Sequence, residues 1–70
     1  MNEFVIACNG KSRIVQHESW DMYVVAHDEK ENYSVGDVFT ISDSKGRCMT
    51  YRKISDGSLF LEDIHGMYIE

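Results

Sequence analysis

Apolar and polar residues alternate in short runs along most of the chain, and turn residues separate those runs about every ten positions, which predicts strands. The clearest signal is Asn9-Gly10, a hairpin dipeptide flanked by Glu3-Phe4-Val5-Ile6-Ala7-Cys8 and Lys11-Ser12-Arg13-Ile14-Val15-Gln16. A strict two-residue turn opposes Ile6 with Arg13 and puts charge on the face of Phe4. A three-residue loop, Cys8-Asn9-Gly10 with Gly10 left-handed, opposes Phe4 with Ile14 and Ile6 with Ser12. The second register separates the faces better and is the one expected. It turns Phe4, Ile6 and Ile14 toward the core and Lys11 and Arg13 outward with Val5 and Val15.

Residues 17–27 fit two templates. Alternation aligns Trp20, Met22, Val24 and Ala26, whereas helical spacing aligns Trp20, Tyr23, Val24 and His27. Tyr23-Val24-Val25 is β-rich and the apolar run is short for a helix, so a strand starting near Met22 is expected. Asp28-Glu29-Lys30-Glu31-Asn32 has no apolar residue and reads as a solvated acidic loop.

Ser34-Val35-Gly36-Asp37 leads into the strand Val38-Phe39-Thr40-Ile41, with Phe39 and Ile41 on one face, and Asp43-Ser44-Lys45-Gly46 turns it into a long strand, Arg47 to Ile54. Ser55-Asp56-Gly57 then turns into Ser58 to Asp63. Two registers stay open there: a two-residue turn opposes Ile54 with Leu59, and a three-residue loop opposes Tyr51 with Leu61. His65-Gly66 marks a last turn before a short edge strand, Met67-Tyr68-Ile69.

Five or six strands with no repeat, linker or proline predict one all-β, or mostly β, domain over residues 1–70. A small barrel or two packed antiparallel sheets is expected, because closure limits exposed edges. Val35-Gly36-Asp37-Val38-Phe39-Thr40-Ile41, with the Gly46 turn and the strand ending at Ile54, resembles the Gly-Asp-led hairpin of SH3-like barrels, including translation-associated KOW modules. The likeness implies architecture alone. The Gly-rich basic turn of that family is shortened to Asp43-Ser44-Lys45-Gly46, and the Ala-Leu-Tyr-Asp-Tyr ligand signature of eukaryotic SH3 domains is missing, so no functional residue is carried over.

Composition narrows the function classes. A hydrophobic fraction of 43% with 27% charged residues suits a folded globular chain. The apolar runs Phe4 to Cys8 and Met22 to Ala26 fall far short of the ~20 residues that span a bilayer. No basic region and apolar stretch follow Met1-Asn2-Glu3, so a cytoplasmic location is expected, with Cys8 and Cys48 reduced and buried. Twelve acidic against seven basic residues give a formal charge of −5, which opposes non-specific attraction to phosphate backbones.

Serines, histidines and aspartates occur without a nucleophile motif or phosphate-cradling glycine loop, so an enzyme is not expected. Cys8, Cys48, His17, His27 and His65 lack the close pairing of zinc sites, and no metal or cofactor is expected. Aromatic residues beside carboxylates can hold a cation or a basic peptide, which makes Trp20, Tyr23, Asp28, Glu29, Glu31 and Tyr33 the candidate partner-binding surface. A plainer account packs Trp20 and one or two of Tyr23, Tyr33, Tyr51 and Tyr68 into the core and leaves the acids solvated.

The basic residues offer an alternative. Lys11, Arg13, Lys45 and Arg47 can form a nucleic-acid stripe, while Arg52 and Lys53 are expected to pair with Glu62 and Asp63 across the second hairpin. A third reading makes the acids a DNA mimic that occupies a DNA-binding protein, although they are dispersed along the chain. The leading expectation is a protein-binding module, a small regulator or inhibitor of a larger protein, of the kind that viruses also encode. Recognition is expected through the aromatic-acidic surface or through strand addition at an exposed edge, which also permits homo-oligomers.

Overall fold

The computed structural model describes residues 1–66. The chain is mostly β: β1 (Asn2–Cys8), β2 (Lys11–His17), β3 (Val38–Asp43), β4 (Cys48–Ser55) and β5 (Ser58–His65) form one antiparallel sheet in the order β2-β1-β3-β4-β5. The sheet is open, not the expected barrel or pair of packed sheets. Strands β2 and β5 occupy its two edges, and the SH3-like arrangement is not reproduced. The expected strand Met67-Tyr68-Ile69 lies outside the described residues.

Openness follows from the connection through residues 18–37. Both β2 and β3 pair antiparallel with β1, one on each side, so they run in the same direction and need a long crossover. Its centre is a helix, α1 (Met22–Glu29), continued by a 3₁₀ turn over Lys30–Asn32. This corrects both the strand expected from Met22 and the acidic loop expected over residues 28–32. The Asp21 side chain accepts the Tyr23 N–H at 2.9 Å and caps the helix.

Met22, Val25, Ala26 and Glu29 are the buried positions of α1, spaced three and four apart. The helical template weighed from the sequence aligned Trp20, Tyr23, Val24 and His27, the wrong face. The correct stripe ends on a glutamate, which hides it from a reading of apolar positions.

The helix covers Phe4 and Ile6 of β1, Phe39 and Ile41 of β3, and Met49 and Tyr51 of β4, which with Met22, Val25 and Ala26 make the core. Burying each large side chain contributes about 1.5–3 kcal/mol relative to exposure. Phe39 stacks between Tyr33 at 4.7 Å and Tyr51 at 6.0 Å.

Both hairpin registers are resolved. In the first, Cys8 pairs with Lys11, Ile6 with Arg13 and Phe4 with Val15, the two-residue register that charge on the core face argued against. Asn9 at φ 53° and Gly10 at φ 78° supply the two positive angles such a turn needs. Arg13 is tolerated beside Ile6 because β2 is an edge strand and the crossover brings an acid to meet it. Ile14, expected in the core, faces outward instead. In the second hairpin Ser55 pairs with Ser58 around a two-residue turn, then Ile54 bulges and the pairing becomes Lys53 with Leu59 and Tyr51 with Leu61. The opposition of Tyr51 with Leu61 therefore holds, whereas that of Ile54 with Leu59 does not form, because the bulge at Ile54 gives Leu59 to Lys53.

Candidate functional site

The structure divides the aromatic-acidic set. Glu29 is 9% exposed and belongs to the interior. Its carboxylate accepts from Arg13 Nη2 at 2.5 Å and Asn32 Nδ2 at 3.1 Å, and meets His17 Nε2 at 2.7 Å. Burial pushes this carboxyl up, but the hydrogen bonds from Arg13 and His17 outweigh it and hold it below its ordinary value. The same contacts hold the Arg13 guanidinium more firmly protonated. Glu29 therefore fastens the end of α1 to β2.

Tyr33 is half-buried on Phe39, and its hydroxyl accepts from Arg13 at 3.2 Å. Asp28 and Glu31 are exposed; Asp28 reaches His17 Nδ1 at 3.7 Å. Trp20 is 68% exposed, with the Arg47 guanidinium 5.7 Å from its ring centre, and exposed Tyr23 lies 4.4 Å from the ring of His27. The six residues thus form no common surface: four face water and two face inward.

The basic residues are divided too. Antiparallel pairing of β1 with β3 places Lys11 and Arg13 at one end of the sheet and Lys45 and Arg47 at the other. Arg13 pairs with Glu29, and Arg47 Nε pairs with Asp43 at 2.5 Å. Burial raises the Asp43 carboxyl, yet Arg47 and the backbone N–H groups of Arg47 and Lys45 bring it below its ordinary value. Arg52 pairs with Glu62 at 2.5 Å, as expected. Among the described residues Lys53 pairs with no acid; it is 6% exposed, and its ammonium donates to the carbonyls of Lys30 at 3.1 Å and Tyr33 at 2.9 Å.

Cys8 and Cys48 are free and half-buried. Burial, then the charges of Asp37 and Asp63 respectively, push the two thiols up, which disfavours the reactive thiolate. Among the described residues no group of three or more potential metal ligands occurs, and no helix is long and apolar enough to cross a membrane.

The second face of the sheet, which α1 does not cover, was missed from the sequence. Register assigns to it Val5 and Ala7 of β1, Ile14 of β2, Val38 and Thr40 of β3, Thr50 of β4 and Phe60 of β5. Ile14 is 65% exposed and Phe60 55%. Among the described residues these side chains run as a diagonal band from Ile14 to Phe60, interrupted by a charge only at Arg52, which is neutralised by Glu62. Glu3 and Asp63 lie toward the margin. The signal was present as the odd positions of β1, but the expected three-residue register moves Ile14 to the core.

Comparison of the chain with protein-family models, with curated proteins and with solved structures gave no match.

Proposed function

We propose that the chain is a non-enzymatic protein-binding module, a small regulator or inhibitor of a larger protein, that docks through the uncovered face of its sheet. The observation that carries this reading is the band from Ile14 to Phe60: an uncharged centre with its ionic groups displaced to the margin or paired. That layout matches the buried core and polar rim of protein interfaces. Contiguous apolar surface left open on a small domain marks a contact site more often than scattered single residues do. The groups best suited to chemistry are already engaged, since Glu29 is saturated by three partners and both thiols are held neutral.

Strand addition has less support, because β5 carries a bulge at Glu62 that interrupts its outer edge. The nucleic-acid alternative loses its continuous stripe to the opposite placement of its two basic pairs.

The test is affinity capture from the native cell with the wild-type chain and with variants that retain its circular dichroism spectrum. Ile14→Lys combined with Phe60→Lys should weaken retention of a stoichiometric protein at least tenfold, while Tyr23→Ala on the helix side should leave it unchanged. Full retention by the folded double variant overturns the reading. So does capture of nucleic acid in place of protein, with binding lost between about 50 and 200 mM salt.

A further inference from the structure

An open cleft of ≈ 470 Å³ lies on the helix-covered side, past the end of α1, between the β1–β2 turn and the 3₁₀ turn. Its floor is Ile6, Cys8 and Tyr33, and Lys11 and Arg13 stand on the β2 wall. The volume lies within the range of small-molecule sites, which typically pair an apolar lining with a few convergent polar groups.

Arg13 is held in place without being used up. Its Nη2 serves Glu29 and Tyr33, while among the described residues Nε and Nη1 meet no acceptor. Lys11, one position past the turn, makes no ion pair among the described residues. Arg13 is 43% exposed at its side chain and opens toward the cleft. Glu29 balances the Arg13 charge, so what this wall offers is the Lys11 ammonium together with N–H donors of Arg13 that have no acceptor among the described residues.

The opposite wall holds Asp37, whose carboxylate already accepts the Ser34 N–H at 3.0 Å. The Cys8 thiol adds no negative charge, because burial and then Asp37 keep it protonated. The cleft is therefore lined by N–H donors on β2, by Cys8 and Tyr33, and by Asp37, whose carboxylate is already engaged by a backbone N–H.

We propose that this cleft binds a small organic anion, with a carboxylate or phosphate bridging Lys11 and Arg13 and an apolar body set against Cys8 and the edge of the Tyr33 ring, whose two faces are taken by Phe39 and the Arg13 guanidinium. A guanidinium pre-positioned by a buried carboxylate loses little freedom on binding, and charge-assisted contacts of this kind are the strong ones. Occupancy also ties the β1–β2 turn to the crossover, since the ligand touches both. The site lies on the side of the sheet opposite the proposed docking face, so either can fail alone.

The experiment is a titration of the isotope-labelled chain followed by amide NMR shifts, with phenyl phosphate as probe and phenol and inorganic phosphate as its two halves. Phenyl phosphate should give saturable shifts at Cys8, Lys11, Arg13 and Tyr33, and each half alone should bind at least tenfold more weakly. Lys11→Gln, at an exposed turn position, should weaken phenyl phosphate about tenfold while leaving the rest of the spectrum in place. Absence of saturable shifts up to ~10 mM overturns the proposal. Equal affinity in the K11Q variant, or inorganic phosphate binding as tightly as phenyl phosphate, overturns it too.

Discussion

Replacing Glu29 by alanine should nearly unfold the domain, although its place between Asp28 and Glu31 reads as a solvated acidic run. The carboxylate holds three partners, and they do not count equally. Arg13 has a side chain 43% exposed and can turn to water, so its loss is that of a surface pair, at most about 1 kcal/mol. His17 is mostly enclosed and keeps only Asp28 at 3.7 Å, so losing its charge-assisted bond costs about 1.5–3 kcal/mol. With the longer bond that Asn32 donates at 3.1 Å added, the loss is roughly 3 kcal/mol, comparable with the ~3–5 kcal/mol a core of this size supplies. The assay is urea denaturation followed by far-ultraviolet circular dichroism, because Trp20 is too exposed to report on folding.

Glu31→Ala, on an exposed side chain, is the control and should cost less than about 0.5 kcal/mol. The sign of the pH dependence follows from the carboxyl being held below its ordinary value of 4.5. Its stabilisation is present above that value and is lost as pH falls through the lowered one, so the gap between wild type and the E29A variant should close in acid. An E29A variant as stable as E31A, or a gap that persists on acidification, refutes the assignment of Glu29 as the link between α1 and β2.

Three further outcomes are expected. Lys53→Met leaves the carbonyls of Lys30 and Tyr33 without their donor and should cost about 2–3 kcal/mol, with faster amide exchange across the 3₁₀ turn; unchanged exchange there counts against the role of the ammonium. Tyr51 is pushed up from 10.0 to about 12, by burial first and then by Asp21 and Tyr23. Its contribution is therefore complete below pH 10.0 and lost between 10.0 and about 12, a decline of about 2–3 kcal/mol that the Y51F variant should not show in alkaline denaturation. Gly66 has φ +72° and a Cβ there would overlap the Gly46 carbonyl, whereas Gly10 at φ +78° faces open space. Gly66→Ala should thus lower the midpoint of thermal unfolding more than Gly10→Ala, and the reverse order contradicts the close approach of the two turns.

Local chemistry determines much of this chain. Alternation makes five segments strands, Asn9-Gly10 and Asp56-Gly57 place the hairpin turns, and Phe4 and Ile6 of β1 with Phe39 and Ile41 mark part of the core, because each effect acts over a few neighbouring residues. The Arg52–Glu62 pair is legible for the same reason: a known turn nearly fixes what lies opposite. What stayed hidden depends on distant segments meeting. Residues 22–29 become a helix because the exposed apolar face of β1, β3 and β4 needs a lid, and that demand outweighs the β preference of Tyr23-Val24-Val25. Arg13 can face inward only because Glu29, sixteen positions away, arrives to meet it. That arrival sets the register of the first hairpin, which turns Ile14 out to the open face and groups Lys11 with Arg13 over the cleft. A β-rich chain, its turns and the core positions Phe4, Ile6, Phe39 and Ile41 thus follow from local sequence; the helix that adds Met22, Val25 and Ala26, the internal charges and the uncovered apolar side chains follow from tertiary contacts, since burial depends on what packs across a gap and not on what lies beside it in the chain.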